Sequence, residues 1–315
     1  MRSSHIGDGN ILITGGSGVI GSYIIELLKE EYDIVVADIT RPKADVKYIR
    51  ADLTKPITFS GDFETCIHLA ARVGGIQYFT KYPVENIRDN PRITANVLDA
   101  CVNSNLNHII YTSSSRVYEN QAEFPSKEES LPRFPPPSSD YGMSKLIGEY
   151  LCKAYHRQFG LKYTILRPAN VYGPQEAPDP EYAHVIPELI RKVLSGNFPV
   201  EIYGDGKQTR TFTHGMDAAR AYKLSIKNKN AVNETFNVSG NKEIKIIDVL
   251  KLIWRMAGYT DQLKVRHLPP LQHDTKRRFL SNKRIHEKLN WRPSIPFKDG
   301  LLETIKTIKN LINTS

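Results

Sequence analysis

Three cysteines in 315 residues are too few for a disulfide framework. Cys66, Cys101 and Cys152 stand far apart, and no Cys or His pair has ligand spacing. Buried, reduced thiols are therefore expected, and no metal site. Long apolar runs are also missing. The longest are strand-sized, as at residues 11–13, whereas a membrane span needs roughly 20 residues. The start, Met1-Arg2-Ser3-Ser4-His5, carries no apolar signal core, so a cytoplasmic protein is expected, with no membrane partner. There is no internal repeat. Basic residues outnumber acidic ones, 43 to 34, for a net charge of +9, yet they are scattered and only Lys276-Arg277-Arg278 clusters. That pattern gives no support to nucleic-acid binding. It suits an acidic ligand such as a diphosphate.

What is present is ordinary for a globular protein with a real core: 40% apolar and 24% charged residues, of mixed sign. The length suffices for one large α/β unit or two modest domains. Residues 10–14 read as a buried strand, followed by a glycine turn and an amphipathic helix to about residue 30. Further strands are expected at 33–38, ending at 53, at 65–70, at 108–112 and at 162–166. Long helices are expected at 83–103 and 140–158. Strands alternating with helices imply a parallel sheet covered on both faces. After Arg167-Pro168 the pattern becomes irregular. Residues 174–180 are expected to form a proline-rich loop. Helices resume at 185–195, 216–226, 246–257, 281–289 and 298–311, with short strands at 200–203 and 235–238. The expected division is a first domain over 1–168 and a smaller second one over 169–315, some of whose segments return to the first.

The glycine turn is Gly15-Gly16-Ser17-Gly18-Val19-Ile20-Gly21. It follows a strand and opens a helix, the setting in which such glycines let a pyrophosphate approach a helix N-terminus. Asp38 ends the second strand, where a carboxylate meets adenosine ribose hydroxyls and repels a 2′-phosphate. The cofactor is therefore expected to be NAD. Asp52 is expected near the adenine.

Tyr141 and Lys145 lie four apart and share a helix face. A phenol with a pKa near 10 is a poor base, but a nearby ammonium favours its ionised form. Ser114, from the run Ser113-Ser114-Ser115, can hold a substrate hydroxyl in the same network. The three suggest proton-coupled hydride transfer with a bound dinucleotide.

At this point the chain resembles the extended short-chain dehydrogenase/reductases, in the nucleotide-sugar epimerase/dehydratase branch. The resemblance runs over nearly the whole chain. It is carried by the glycine turn, His68-Leu69-Ala70-Ala71, the stretch from Ser113 to Tyr118, Tyr141 to Lys145, Arg167-Pro168-Ala169-Asn170, the stretch from Arg210 to Asp217, and Leu289-Asn290-Trp291-Arg292-Pro293. It implies a Rossmann-like doubly wound sheet with a smaller C-terminal domain for a nucleotide-diphosphate sugar, and a homodimer pairing the helices at 83–103 and 140–158. It makes Ser114, Tyr141 and Lys145 catalytic. Leu53, Leu69, Ala70 and Ala71 join the cofactor set. Arg72, Gly74, Ser115, Arg116, Asn170 and His184 face the substrate, and Arg210 and Arg277 clamp its diphosphate, with Arg278 able to take the place of Arg277.

Local stretches are similar to the GDP-fucose synthases, which are epimerase-reductases: Ala71-Arg72-Val73-Gly74-Gly75-Ile76, Ala183-His184-Val185-Ile186-Pro187 and Thr275-Lys276-Arg277-Arg278. His184 falls where those enzymes keep an epimerisation acid. Its partner cysteine, two residues after the serine, is Arg116 here, and arginine cannot shuttle protons. Those enzymes also use NADPH, against which Asp38 argues. The dehydratases carry an Asp-Glu pair directly after the catalytic hydroxyl, where this chain has Ser115 and Arg116. The expected activity is an NAD-dependent epimerase acting at C4 through a transient keto sugar. The alternatives are a GDP-sugar epimerase-reductase or reductase and, more remotely, a non-catalytic NAD-binding scaffold.

Overall fold

The structure is a computed structural model that describes residues 10–176, 182–271 and 274–314. The first five residues and the end of the proline-rich loop, read above, lie outside the described residues. Seven strands form one parallel sheet: β1 (Asn10–Thr14), β2 (Asp33–Asp38), β3 (Lys47–Arg50), β4 (Thr65–His68), β5 (His108–Thr112), β6 (Lys162–Pro168) and β7 (Glu234–Val238). Their spatial order is β3-β2-β1-β4-β5-β6-β7. The order reverses at β1, where a parallel α/β sheet opens a crevice beyond its strand ends.

Alternation along the strands splits the core into two layers. Ile11 and Ile13 face one layer, with Ile67 and Ile110; Leu12 faces the other, with Cys66 and Ile109. The first layer is closed by α1 (Val19–Leu28) and later by α6 (Gly215–Ser225), through Ile24, Ala218 and Tyr222. The second is closed by α3 (Pro83–Asn103) and α4 (Asp140–Phe159), through Val97, Leu98 and Cys152. All three cysteines are free and buried. Between β4 and α3 lies a helix the sequence did not announce, α2 (Ile76–Lys81). Six residues are too few to display a 3.6-residue period.

A third core joins α5 (Val185–Leu194), α7 (Ile246–Met256) and α9 (Phe297–Thr314) around Ile190, Ile202, Val249 and Trp254. Two of its small sheets matter for the site. Strand Thr209–Thr211 pairs antiparallel with Glu243–Lys245 and parallel with Arg277–Arg278; Val200–Tyr203 pairs parallel with Val265–Leu268. Segments of the second half pack with the first. β7 extends the main sheet beside β6, α6 packs on α1, and Ile285 and Leu289 of α8 (Lys283–Leu289) enter the first core layer. No helix among the described residues is long and apolar enough to cross a membrane.

Candidate active site

A cavity of 320 Å³ opens at the C-terminal ends of β1, β4, β5 and β6 and runs into the second half of the chain. Gly15, Gly18, Val19, Ile20, Gly21 and Leu69 line one end. Ser114, Ser115, Arg116 and Tyr141 line the middle. Asn170, His184, Arg210 and Arg278 line the other end, and Gly74 also lies in the wall.

The glycine end is built for close approach. Gly15 has φ +74°, and a Cβ there would lie 2.5 Å from the backbone N of Ala70. A Cβ on Gly21 would meet the Gly16 carbonyl at 2.5 Å, so turn and helix pack with no room for a side chain. Gly18 caps α1 without a side-chain acceptor, leaving that helix's first N–H groups for a ligand. Asp38 is tied to the turn: its Oδ2 accepts the Ser17 N–H at 3.0 Å. A cradle without side chains, a helix N-terminus and a carboxylate at the second strand end together fit a dinucleotide carrying a free ribose.

Other expected cofactor residues stand apart from the cavity. Asp52 is exposed, and its Oδ1 accepts the N–H and hydroxyl of Thr54 at 3.1 and 2.7 Å. Those bonds lower its pKa and hold a local turn. Leu53 is core, and Ala70 packs on the same layer. Neither Ala70 nor Ala71 enters the cavity wall; the Ala70 backbone instead backs Gly15. Arg72 is exposed, its Nε 3.7 Å from Asp89 and its backbone N–H bonded to Asn90 at 2.6 Å.

The middle of the cavity is fixed by a buried network. Ser114 follows β5 and caps a short 3-10 turn, Ser115–Tyr118, by accepting the Arg116 N–H at 3.2 Å. Ser114 and Tyr141 both line the cavity, and the Ser114 hydroxyl favours the ionised phenol. Behind them, Glu149 accepts from Ser113 at 2.6 Å and binds Arg167 with both oxygens, at 2.8 and 2.7 Å. This fully buried pair locks α4 to β5 and β6. Burial pushes the Tyr141 phenol up to about 12, while the Ser114 hydroxyl and the Arg116 charge pull the other way. Lys145 is buried and donates to the Thr112 carbonyl at 2.9 Å. Its Nζ lies 5.8 Å from the Tyr141 ring centre, and burial lowers its pKa to about 8. Phe79 of α2 lies flat on Tyr141, with ring centres 4.3 Å and planes 13° apart.

At the far end Arg210 bonds Asp274 at 2.5 Å and the Thr209 carbonyl at 2.7 Å. Arg277, expected as its partner, points away: it forms a two-toothed bond with Glu243 at 2.8 and 2.9 Å and is half exposed. Arg278 lines the cavity instead and is buried. The reason is strand geometry. Arg278 is in register with Arg210, and Arg277 with Thr209, so period-two alternation puts the first pair on one face and the second on the other. Burial lowers the pKa of Arg278 well below its usual value, and Arg116 and Arg210 add to the effect. Its Nε has no hydrogen-bond partner among the described residues.

Asn170 adopts φ +39° and donates to the Thr211 carbonyl at 2.7 Å. His184 opens α5; its Nδ1 lies 2.5 Å from Glu176 Oε1. Burial lowers the imidazole pKa, but the Glu176 carboxylate more than offsets this and the net shift is upward. Phe79, Glu119, Glu176 and Asp274 belong to no motif in the sequence. Only contacts across the fold single them out.

A family description, NAD dependent epimerase/dehydratase, matches residues 11–239. A Methanocaldococcus jannaschii protein assigned provisionally as a UDP-glucose 4-epimerase is 32% identical, covering 95% of this chain and 98% of its own. The GDP-L-fucose synthase of Sinorhizobium fredii is 30% identical over 94% of each. The solved UDP-glucose 4-epimerase of Thermotoga maritima, bound to UDP-glucose, superposes with a TM-score of 0.84 at 27% identity, covering 96% of this chain and 99% of that one. The chain belongs to the NAD dependent epimerase/dehydratase family, and NAD is its cofactor.

Proposed function

We propose that the protein is an epimerase of a nucleotide-diphosphate sugar, acting at C4 through a transient keto sugar. One observation carries the proposal: the Ser114 hydroxyl and the Tyr141 phenol, which it influences, share one cavity with the glycine turn and with Arg210 and Arg278. When bound, NAD supplies the acceptor, and later the donor, of a hydride. Gly15, Gly18 and the α1 N-terminus would hold its pyrophosphate, and Asp38 its ribose.

Ser114 holds the sugar hydroxyl. Tyr141 removes its proton as the alcohol becomes a ketone, and returns the proton when the alcohol is re-formed. The buried Lys145 favours the phenolate electrostatically. Such a positioned base contributes typically 10²–10⁴-fold. Arg210 and Arg278 offer planar, charged donors to the diphosphate, which anchors the nucleotide while the keto sugar presents its other face. No net oxidation results. α3 and α4, packed on each other with Tyr150 exposed, remain the proposed homodimer surface.

The second reading is a GDP-sugar epimerase-reductase. His184, oriented by Glu176 in the same cavity, and the similarity to GDP-L-fucose synthase favour it. Arg116 at the cysteine position and Asp38 argue against it. Incubation of the purified protein with UDP- and GDP-sugars separates the two. The proposal predicts interconversion of C4 epimers, UDP-hexoses first, with no net change in the absorbance of reduced nicotinamide. Stoichiometric consumption of reduced nicotinamide with a keto sugar would overturn it.

A further inference from the structure

The reaction proposed above uses Ser114, Tyr141 and Lys145 and leaves Arg116 without a task. Arg116 is nevertheless a buried guanidinium in the cavity wall, and three separate routes lead from it to the reacting pair. Its backbone N–H donates to Ser114 Oγ at 3.2 Å, which leaves the hydroxyl hydrogen for another partner. Its NH1 donates to Glu119 Oε1 at 2.8 Å. Glu119 in turn accepts the Ser139 N–H at 2.8 Å and its hydroxyl at 2.6 Å, and Ser139 Oγ caps α4 by accepting the Gly142 N–H at 3.1 Å. Tyr141 sits in that first turn. Finally, the guanidinium carbon lies over the Phe79 ring, 5.3 Å from its centre, and the Tyr141 ring is stacked on that same Phe79. Phe79 thus touches both the cation and the phenol.

A buried ion pair adds little net stability, so the Arg116–Glu119 pair is poorly explained as a fold stabiliser. We propose that Arg116 is a positioning residue for Tyr141: it fixes the phenol and the Ser114 hydroxyl in one geometry and places a positive charge beside them in the middle of the cavity. The inference rests on Tyr141 being the acid/base. The other groups around the phenol do not supply the same field. Tyr111 from β5 and Tyr222 from α6 are held neutral by burial, Phe79 from α2 is uncharged, and Lys145 on the same helix loses its proton at about 8.

The test follows the titration of the Tyr141 phenol in NAD-loaded protein by NMR of isotope-labelled tyrosine, with the signal assigned by its loss in Tyr141→Phe. The pH profile of kcat/KM on UDP-glucose is recorded in parallel. Arg116→Met should move both midpoints up by about one pH unit while NAD binding is kept. Arg116→Lys, which restores charge without the fork, should recover most of the shift. Glu119→Gln, which leaves the guanidinium unneutralised, should move the midpoint down. Unmoved midpoints in Arg116→Met overturn the inference. Should that variant fail to fold, equal midpoints in wild type, Arg116→Lys and Glu119→Gln overturn it as well. Normal turnover by Tyr141→Phe is a different failure: it removes the acid/base reading itself.

Discussion

The carboxylate of Asp38 reaches back from the end of β2 to accept the backbone N–H of Ser17 at 3.0 Å, and its other oxygen takes the N–H of Thr40 at 3.2 Å. The negative charge is thereby pinned beside the glycine turn. A second negative group at the ribose 2′ position would be repelled by it. Asp38→Ser removes that repulsion and should erase the preference for NAD over NADP. The ratio of the two dissociation constants, measured by calorimetry, should change by roughly tenfold or more, about 1.4 kcal/mol or more.

Arg278 and Arg277 make a matched pair of tests, since adjacent residues of one charge differ in face. Arg278→Met should weaken binding of a nucleoside diphosphate by roughly 10–100-fold, the range for a charge-assisted hydrogen bond. Arg277→Met, which breaks a half-exposed pair with Glu243 and a contact with the Phe124 ring, both away from the cavity, should change it less than about threefold. Titration calorimetry with UDP and with GDP checks both variants. Equal effects would mean that alternation along this strand does not govern the clamp.

Two buried histidines set a pH dependence of stability. His68 lies 2.6 Å from the Thr14 hydroxyl, and His108 lies 2.9 Å from that of Thr164. Burial lowers their pKa values to about 3 and about 4. Both stay neutral in the fold while the unfolded chain takes up protons near the usual 6.5. Their contribution is therefore whole above about pH 6.5 and is lost as pH falls toward the folded values, by about 2 kcal/mol each at about pH 5. His184, whose pKa is raised, works the opposite way, with stability lost as pH rises. Glu149 and Glu119, although burial raises their pKa, end below the usual value through their arginine partners, so they act only in stronger acid. Denaturant midpoints should fall between about pH 7 and 5, and His68→Asn should flatten that slope.

How much of this was legible in the sequence follows from how local each signal is. The glycine turn, Asp38 and the Tyr141–Lys145 spacing are short-range patterns, and the strands and long helices that carry them lie close to where periodicity put them. Arg278 could have been preferred to Arg277 only by knowing that two residues at 277–278 form a strand in register with Thr209–Arg210. Phe79 sits on a helix too short to show a period, and its partner Tyr141 is 62 positions away in sequence (141 minus 79). Asp52 had the right residue type in the right region, but its carboxylate is satisfied by Thr54 two positions on. That kind of local competition is invisible without coordinates.

Hydrogen bookkeeping at the sugar carbon tests the central claim most directly. If Tyr141 moves only the hydroxyl proton, the hydrogen on C4 leaves and returns without mixing with solvent. A UDP-hexose epimerised in heavy water should therefore emerge, by mass spectrometry, with no carbon-bound deuterium and with the total of reduced nicotinamide unchanged. Deuterium fixed at C3 or C5, or reduced nicotinamide consumed in step with product, would contradict C4 epimerisation and turn the site toward epimerisation-reduction.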